Sequence, residues 1–197
     1  MAKKNSKSTK KLTGIGAFLT LVLSLAALCL GLFLTNVNQT TWAANNVVGT
    51  NGIMGAILGF GFSKTVPSGG DIPEWATFPG VKPSTVDGNM VYTAPSYAGT
   101  MIVFILMAAA LILTILALLF KKSKFGALLL VLAGLCLVAS GIMAFFPMQM
   151  CGFESKLTSS FKTGVEYTLG IGSILGGCFG CVGGVLGTGV GAVALLK

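Results

Sequence analysis

Four stretches of almost unbroken apolar residues punctuate this chain of 197 residues: roughly Gly14 to Leu34, Met101 to Phe120, Phe125 to Phe146 and Leu169 to Leu196. Each meets or exceeds the roughly 20 residues that a helix needs to cross the hydrocarbon core of a bilayer. None of them carries a charge. They lack the apolar–polar alternation of a barrel strand, and a helix satisfies its backbone groups internally where hydrocarbon offers no other partner. The pattern predicts an all-α membrane protein with four transmembrane helices. It also sets the intervening pieces: a tail (1–13), a long first loop (35–100), a turn (121–124) and a second loop (147–168).

Within the first loop the pattern changes to short polar and β-branched runs. Ser84-Thr85-Val86, then Asp87-Gly88, then Asn89-Met90-Val91-Tyr92 reads as a β-hairpin, because Asp-Gly tolerates the positive φ angles of a type I′ turn. A small extracellular β element is therefore expected in that loop. Trp42 and Tyr97 fall just outside their spans, where amphipathic rings settle at the membrane interface.

Composition and charge turn the spans into a topology. The chain is 54% hydrophobic and only 9% charged, against about 25% charged in a soluble protein. All thirteen basic residues are lysine. Lys3, Lys4, Lys7, Lys10 and Lys11 precede the first span, and Lys121, Lys122 and Lys124 occupy the turn between the second and third. Lysines beside spans mark the cytoplasmic side, so both clusters agree on a plasma-membrane protein with cytoplasmic N- and C-termini. The five acidic residues, Asp71, Glu74, Asp87, Glu154 and Glu166, all lie in the two outer loops. Nucleic acid is not expected as a partner, because the net charge of +8 is gathered at span ends and not along a groove. A competing cleavage after Ala43 would make the first span a signal peptide, but signal cores run to about 7–15 apolar residues, and this run is longer.

The last span carries the most specific signal. Stepping about 100° per residue from Gly172, nine of its ten glycines fall within an arc of roughly 160°. Gly172, Gly176, Gly180, Gly183, Gly184, Gly187 and Gly191 form the heart of that face, and only Gly189 lies elsewhere. Glycine destabilises a helix by about 1 kcal/mol relative to alanine, so the face must recover that loss through close backbone approach, as in GxxxG packing. Three uses stay open: packing against a helix of the same chain, joining copies in a homo-oligomer, or lining a channel.

The internal segment Gly52-Ile53-Met54-Gly55-Ala56-Ile57-Leu58-Gly59-Phe60 resembles the fusion peptides of class I viral fusion proteins in its glycine spacing and its bulky Ile53, Ile57 and Phe60. The resemblance implies shallow insertion at the bilayer interface. The other reading is a short helix packed on the outer ends of the spans or against a neighbouring subunit.

Catalytic chemistry has little to work with. The chain has no histidine and no arginine, which removes the usual general base and the bidentate anion clamp. Cys178 and Cys181 match C-x-x-C, yet they sit inside a span, where a thiolate is disfavoured. Cys29 and Cys136 read likewise as apolar structural residues. Cys151 is the one cysteine outside the spans: it is either free, bonded to Cys29, or paired between subunits. No catalytic, metal or cofactor site is expected. The four spans, large first outer loop and cytoplasmic ends look like the topology of claudins and other tetraspan junction or large-pore proteins, although this first loop has no cysteine. Two functions follow: a tetraspan that self-assembles through its glycine face as a scaffold, cell-contact element or pore, or an accessory subunit whose glycine face docks another membrane protein.

Overall fold

The computed structural model describes residues 2–41, 46–51, 63–67, 69–73, 76, 79, 81–93, 97–151, 156–158 and 163–196. Four helices in it are long and apolar enough to cross a membrane. They are α1 (Ala2–Phe33, apolar from Thr13), α2 (Ala98–Leu119), α3 (Lys124–Met143) and α5 (Ile171–Leu196). A one-turn helix, α4 (Pro147–Cys151), follows α3. Two small antiparallel sheets complete the fold. The chain divides into two compact units, one of residues 1–30, 103–145 and 175–197, the other of residues 31–102 and 146–174.

The first unit is helical. Its tightest turn joins α2 to α3, where the Ser123 side chain accepts a hydrogen bond from Gly126 N at 3.2 Å and caps α3. That hydroxyl also donates to Phe120 O at 2.9 Å. Gly126 is required here, since a Cβ would strike the Phe120 carbonyl. Phe120 and Phe125 bracket the turn edge to face, with ring centroids 5.5 Å apart. Beneath it, Ala17, Ala117, Leu129 and Leu130 form a buried cluster.

The second unit is built on strands. β1 (Thr35–Thr41) begins two residues after α1 ends and pairs with β2 (Asn46–Asn51) on one side and β7 (Thr163–Leu169) on the other. With β6 (Lys156–Thr158) the order is β2-β1-β7-β6. Asn38 lies opposite both Gly49 and Thr168. Thus both loops contribute to one sheet. The β1 sequence Thr-Asn-Val-Asn-Gln-Thr-Thr carries little strand signal, because its single apolar residue, the buried Val37, leaves almost no alternation to detect.

The other sheet, β3-β5-β4, contains the expected hairpin: β4 (Lys82–Val86), β5 (Asn89–Thr93) and β3 (Ser63–Val66) on the far side of β5. Asp87 and Gly88 take φ angles of 49° and 78°, the left-handed pair that a type I′ turn requires. Val66 and Tyr92 are buried while β4 is exposed throughout.

The four helices keep to within three residues of the apolar runs at each end, and two of the shifts have a local cause. The fourth was expected from Leu169, but Leu169 is the last residue of β7, opposite Val37, and the helix starts at Ile171. The third was expected to reach Phe146, but α3 stops at Met143 and Pro147 opens α4. Proline at a first helical position has no amide hydrogen to lose, which makes it a natural start for a new helix.

Candidate functional site

The glycine face of α5 is the candidate site, and within the helical unit it is filled by the chain's own helices. Gly176, Gly177, Gly180, Gly183, Gly184, Gly187 and Gly191 are all buried, whereas Gly189 is exposed. The face resolves into two seams. Along the first, α5 runs antiparallel to α3: a Cβ at Gly177 would lie 3.0 Å from Gly141 O, one at Gly180 3.1 Å from Gly141 Cα, one at Gly184 2.6 Å from Val138 N, and one at Gly191 2.9 Å from Ala127 O. These are backbone atoms, so the two main chains touch. Gly134 and Gly141 of α3 answer them, with a Cβ at Gly141 falling 2.7 Å from Cys181 N. Along the second seam, a Cβ at Gly183 would lie 2.9 Å from Leu23 Cβ of α1 and one at Gly187 3.0 Å from Thr20 Cγ2. Gly16 of α1 returns the contact by accepting Val190, whose Cγ1 would be 2.6 Å from an added Cβ. Val190, the bulky exception on the smooth face, thus has a glycine facing it.

Because both seams are occupied, the face is not open to a second copy in this arrangement. The glycine face thus serves packing inside one chain, the first of the three uses left open above. Gly134 and Gly141 of α3 and Gly16 of α1 let the backbones approach, while Leu23, Thr20 and Val138 fill the space that the α5 glycines leave. The opposite side of α5 is outward, with Ile171, Ile174, Val182, Val185 and Val193 exposed.

Buried hydroxyls in the helices bond mostly to their own backbone. Thr20 donates to Gly16 O at 2.9 Å, Ser24 to Leu21 O at 2.9 Å, Thr114 to Ala110 O at 2.7 Å and Ser140 to Leu137 O at 3.1 Å. They are committed to local carbonyls and do not converge on a substrate. Thr188 differs. Its Oγ1 is the one buried side-chain oxygen or nitrogen without a hydrogen-bond partner among the described residues, and it presses on Gly134.

Within the second unit, Asn36 makes a polar clasp beside the start of α5. Asn36 donates from Nδ2 to Gly31 O at 2.7 Å, satisfying a carbonyl at the end of α1. Its Oδ1 accepts from the Ser173 hydroxyl at 3.4 Å, and its own carbonyl accepts from Gly170 N at 2.8 Å. Asn36 and Ser173 are both buried. A Cβ at Gly172 would sit 2.8 Å from Asn36 Oδ1, and one at Gly170 would collide with Thr35 O. Glycine here admits a side chain and a crossing strand. Nothing in the chain pattern points to this clasp beyond the bare pair of small polar residues.

The remaining expected positions fare differently. Tyr97 is 1% exposed, with its hydroxyl donating to the Pro79 carbonyl and its own carbonyl accepting from Thr100 Oγ1 at 2.7 Å, so its ring is packed within the protein. Trp42, Ile53, Ile57 and Phe60 lie outside the described residues. All five cysteines are unpaired. Cys151 is half-buried at the end of α4; burial pushes its thiol above the usual range, and hydrogen bonds with Thr100 oppose that shift. Beside it, Gly99 accepts Met150, whose Cβ would be 2.5 Å from an added Cβ.

The geometry defines a protein with four helices long and apolar enough to span a membrane, three of which, α1, α3 and α5, pack along glycine seams, together with two small antiparallel sheets. No protein-family model, curated protein or solved structure matches the chain.

Proposed function

We propose that the protein is an integral membrane protein crossing the plasma membrane four times, with both ends cytoplasmic, and that it acts as a non-catalytic tetraspan contact or scaffold element presenting its sheets outside the cell. The observation that carries this reading is the β2-β1-β7-β6 sheet, in which the two loops pair with each other. Loops that share a sheet belong on one side of a membrane, and the lysine turn between α2 and α3 then falls on the other. A chain without histidine, whose membrane-level hydroxyls bond their own helices, supports recognition over chemistry.

Assembly into homo-oligomers belongs to the same proposal, but through surfaces other than the glycine face. The bulky outward side chains of the helices, among them Ile112, Leu119, Val182 and Val185, and the exposed sheet edges remain for that role. A claudin-like arrangement of contacts would use the sheets; a channel would have to form between subunits.

Two measurements test the proposal. Single cysteines introduced as Asp87→Cys and Lys122→Cys in a cysteine-free background should react differently with a membrane-impermeant maleimide on intact cells. Labelling of the first alone, with the second reacting only after permeabilisation, supports the orientation; the reverse order overturns it. The mass of the protein in lipid nanodiscs or mild detergent then decides assembly. One discrete multimer supports a scaffold of identical copies, and a stable monomer favours an accessory subunit of a larger membrane complex.

A further inference from the structure

The helix α1 is longer than its apolar part: Ala2–Leu12 continues the helix beyond the span that starts at Thr13. Five of those eleven positions are lysine. Taking Lys3 as zero and about 100° per residue, Lys10, Lys3, Lys7, Lys11 and Lys4 fall at roughly −20°, 0°, 40°, 80° and 100°. Asn5, Ser6, Ser8 and Thr9 occupy the rest of the circle.

The rest of the same helix shows what that arc faces. On the same scale the buried positions Gly16, Ala17, Thr20, Ser24 and Ala27 fall at roughly 220° to 320°. The exposed positions Ile15, Phe18, Leu19, Val22 and Leu25 fall at roughly 40° to 160°. The lysine arc overlaps the exposed side and misses the packed side entirely. Setting the orientation of the span would need the charge but not the arc, because lysines on any side count equally.

The three lysines of the α2–α3 turn join this stripe. Ala17 clusters with Ala117 and Leu129, so the end of α1 that carries the stripe is also the end where the turn lies. Lys121, Lys122 and Lys124 are exposed there. The helical unit contains no aspartate or glutamate at all, so nothing within it neutralises these eight charges.

We propose that the lysine stripe of α1, with Lys121, Lys122 and Lys124, binds the anionic phospholipid headgroups of the surrounding leaflet. This rests on the four-span reading. The sides of α1 that would touch lipid and the helical positions that carry lysine coincide. Depth grades their contribution. The headgroup layer is about 5–7 Å thick on each side, and at about 1.5 Å per residue Lys10 and Lys11 lie within it and Lys7 within reach. Lys3 and Lys4 lie about 8 Å farther out, near one Debye length, and act more weakly.

The test uses the full chain reconstituted in bilayers of phosphatidylcholine and phosphatidylglycerol. The readout is the share of phosphatidylglycerol among lipids retained on gentle extraction, measured by native mass spectrometry. Enrichment of about threefold or more over the bulk bilayer is expected, falling at high salt. The variant K4N/N5K/K7T/T9K keeps composition and net charge but moves two lysines to the packed side. It should lose about half of that enrichment, and K7Q/K10Q/K11Q should lose more than K3Q/K4Q. Enrichment that survives the rearrangement, or capture of added nucleic acid with no lipid preference, overturns the proposal. Failure of the unaltered protein to stay with vesicles through an alkaline wash would instead overturn the four-span reading on which it rests.

Discussion

In the helical unit the chain approaches itself by leaving side chains out; in the sheet-bearing unit it does so by adding hydrogen bonds. Gly184 lets α5 come within van der Waals distance of the α3 backbone, and the contact repeats along the helix from Gly177 to Gly191. Asn36, by contrast, holds three backbone or side-chain groups at one point where a helix end, a strand and a second helix start converge. The first device is spread over many weak contacts and is intolerant of volume. The second is concentrated and is intolerant of losing a polar atom. The two units should therefore fail in different ways when altered.

The largest effect is expected at the α3–α5 seam. Gly184→Leu places a branched side chain where a Cβ already meets Val138 N at 2.6 Å. Overpacking of this kind typically destabilises by about 1–3 kcal/mol, and separation of the seam adds to it. Gly180→Leu should follow it closely, while Val182→Leu on the outward side should stay within about 0.5 kcal/mol of the parent. Thermal unfolding in detergent reads all three, and equal tolerance would show that the seam is not a close contact.

Next in size is the clasp. Asn36→Ala leaves Gly31 O without its side-chain donor and the Ser173 hydroxyl without its acceptor, which should destabilise by about 1–3 kcal/mol. Ser173→Ala alone should cost less, since its bond is the longer one. Combining the two should give less than their sum, because the second change removes a bond already lost. Strict additivity would place the Asn36 effect in the α1 end and not in a shared network.

How much of this was readable beforehand follows the same division. The spans and the glycine arc repeat at the helical period, so a local window carries them, and Gly189 could be singled out as the odd position. The hairpin was equally local, since Asp87-Gly88 names its own turn. The pairing of β1 with β7 was not, because nothing within Thr35–Thr41 indicates a partner in Thr163–Leu169. Tyr97 illustrates the same limit: its position beside a span is visible in sequence, but the Pro79 carbonyl that buries it comes from elsewhere in the loop. The occupant of the glycine face was likewise left open, since the matching glycines of α3 and α1 are sparse and show their purpose only when the register is known.

A smaller effect sharpens the account of the helical unit. Thr188→Val removes the buried hydroxyl that lacks a partner while keeping its shape. Stability should rise by about 1 kcal/mol, visible as a higher unfolding temperature. A fall would mean that the hydroxyl has a partner in the membrane-embedded protein.

The smallest effect concerns reactivity and leaves the fold alone. Burial raises the Cys151 thiol above its ordinary range, so at neutral pH its thiolate is scarcer than that of an exposed cysteine. Iodoacetamide should modify it slowly, with the rate still climbing at pH values where an exposed thiol has levelled off. Thr100→Val removes the side-chain hydrogen bond that pulls the thiol down and keeps the backbone one, so it should move the midpoint slightly higher still. A shift toward lower pH would mean that burial is not the dominant cause.

The β1–β7 pairing also imposes an order on the making of the protein. Asn38 and its partner Thr168 are separated by 168 − 38 = 130 residues. At about 5–20 residues per second of synthesis, β1 waits on the order of ten seconds before β7 exists. During that wait it has only its hairpin partner β2, with one edge bare. The sheet closes only when the last strand has emerged, immediately ahead of α5. Closure of that edge therefore waits until the chain has been made as far as the start of α5.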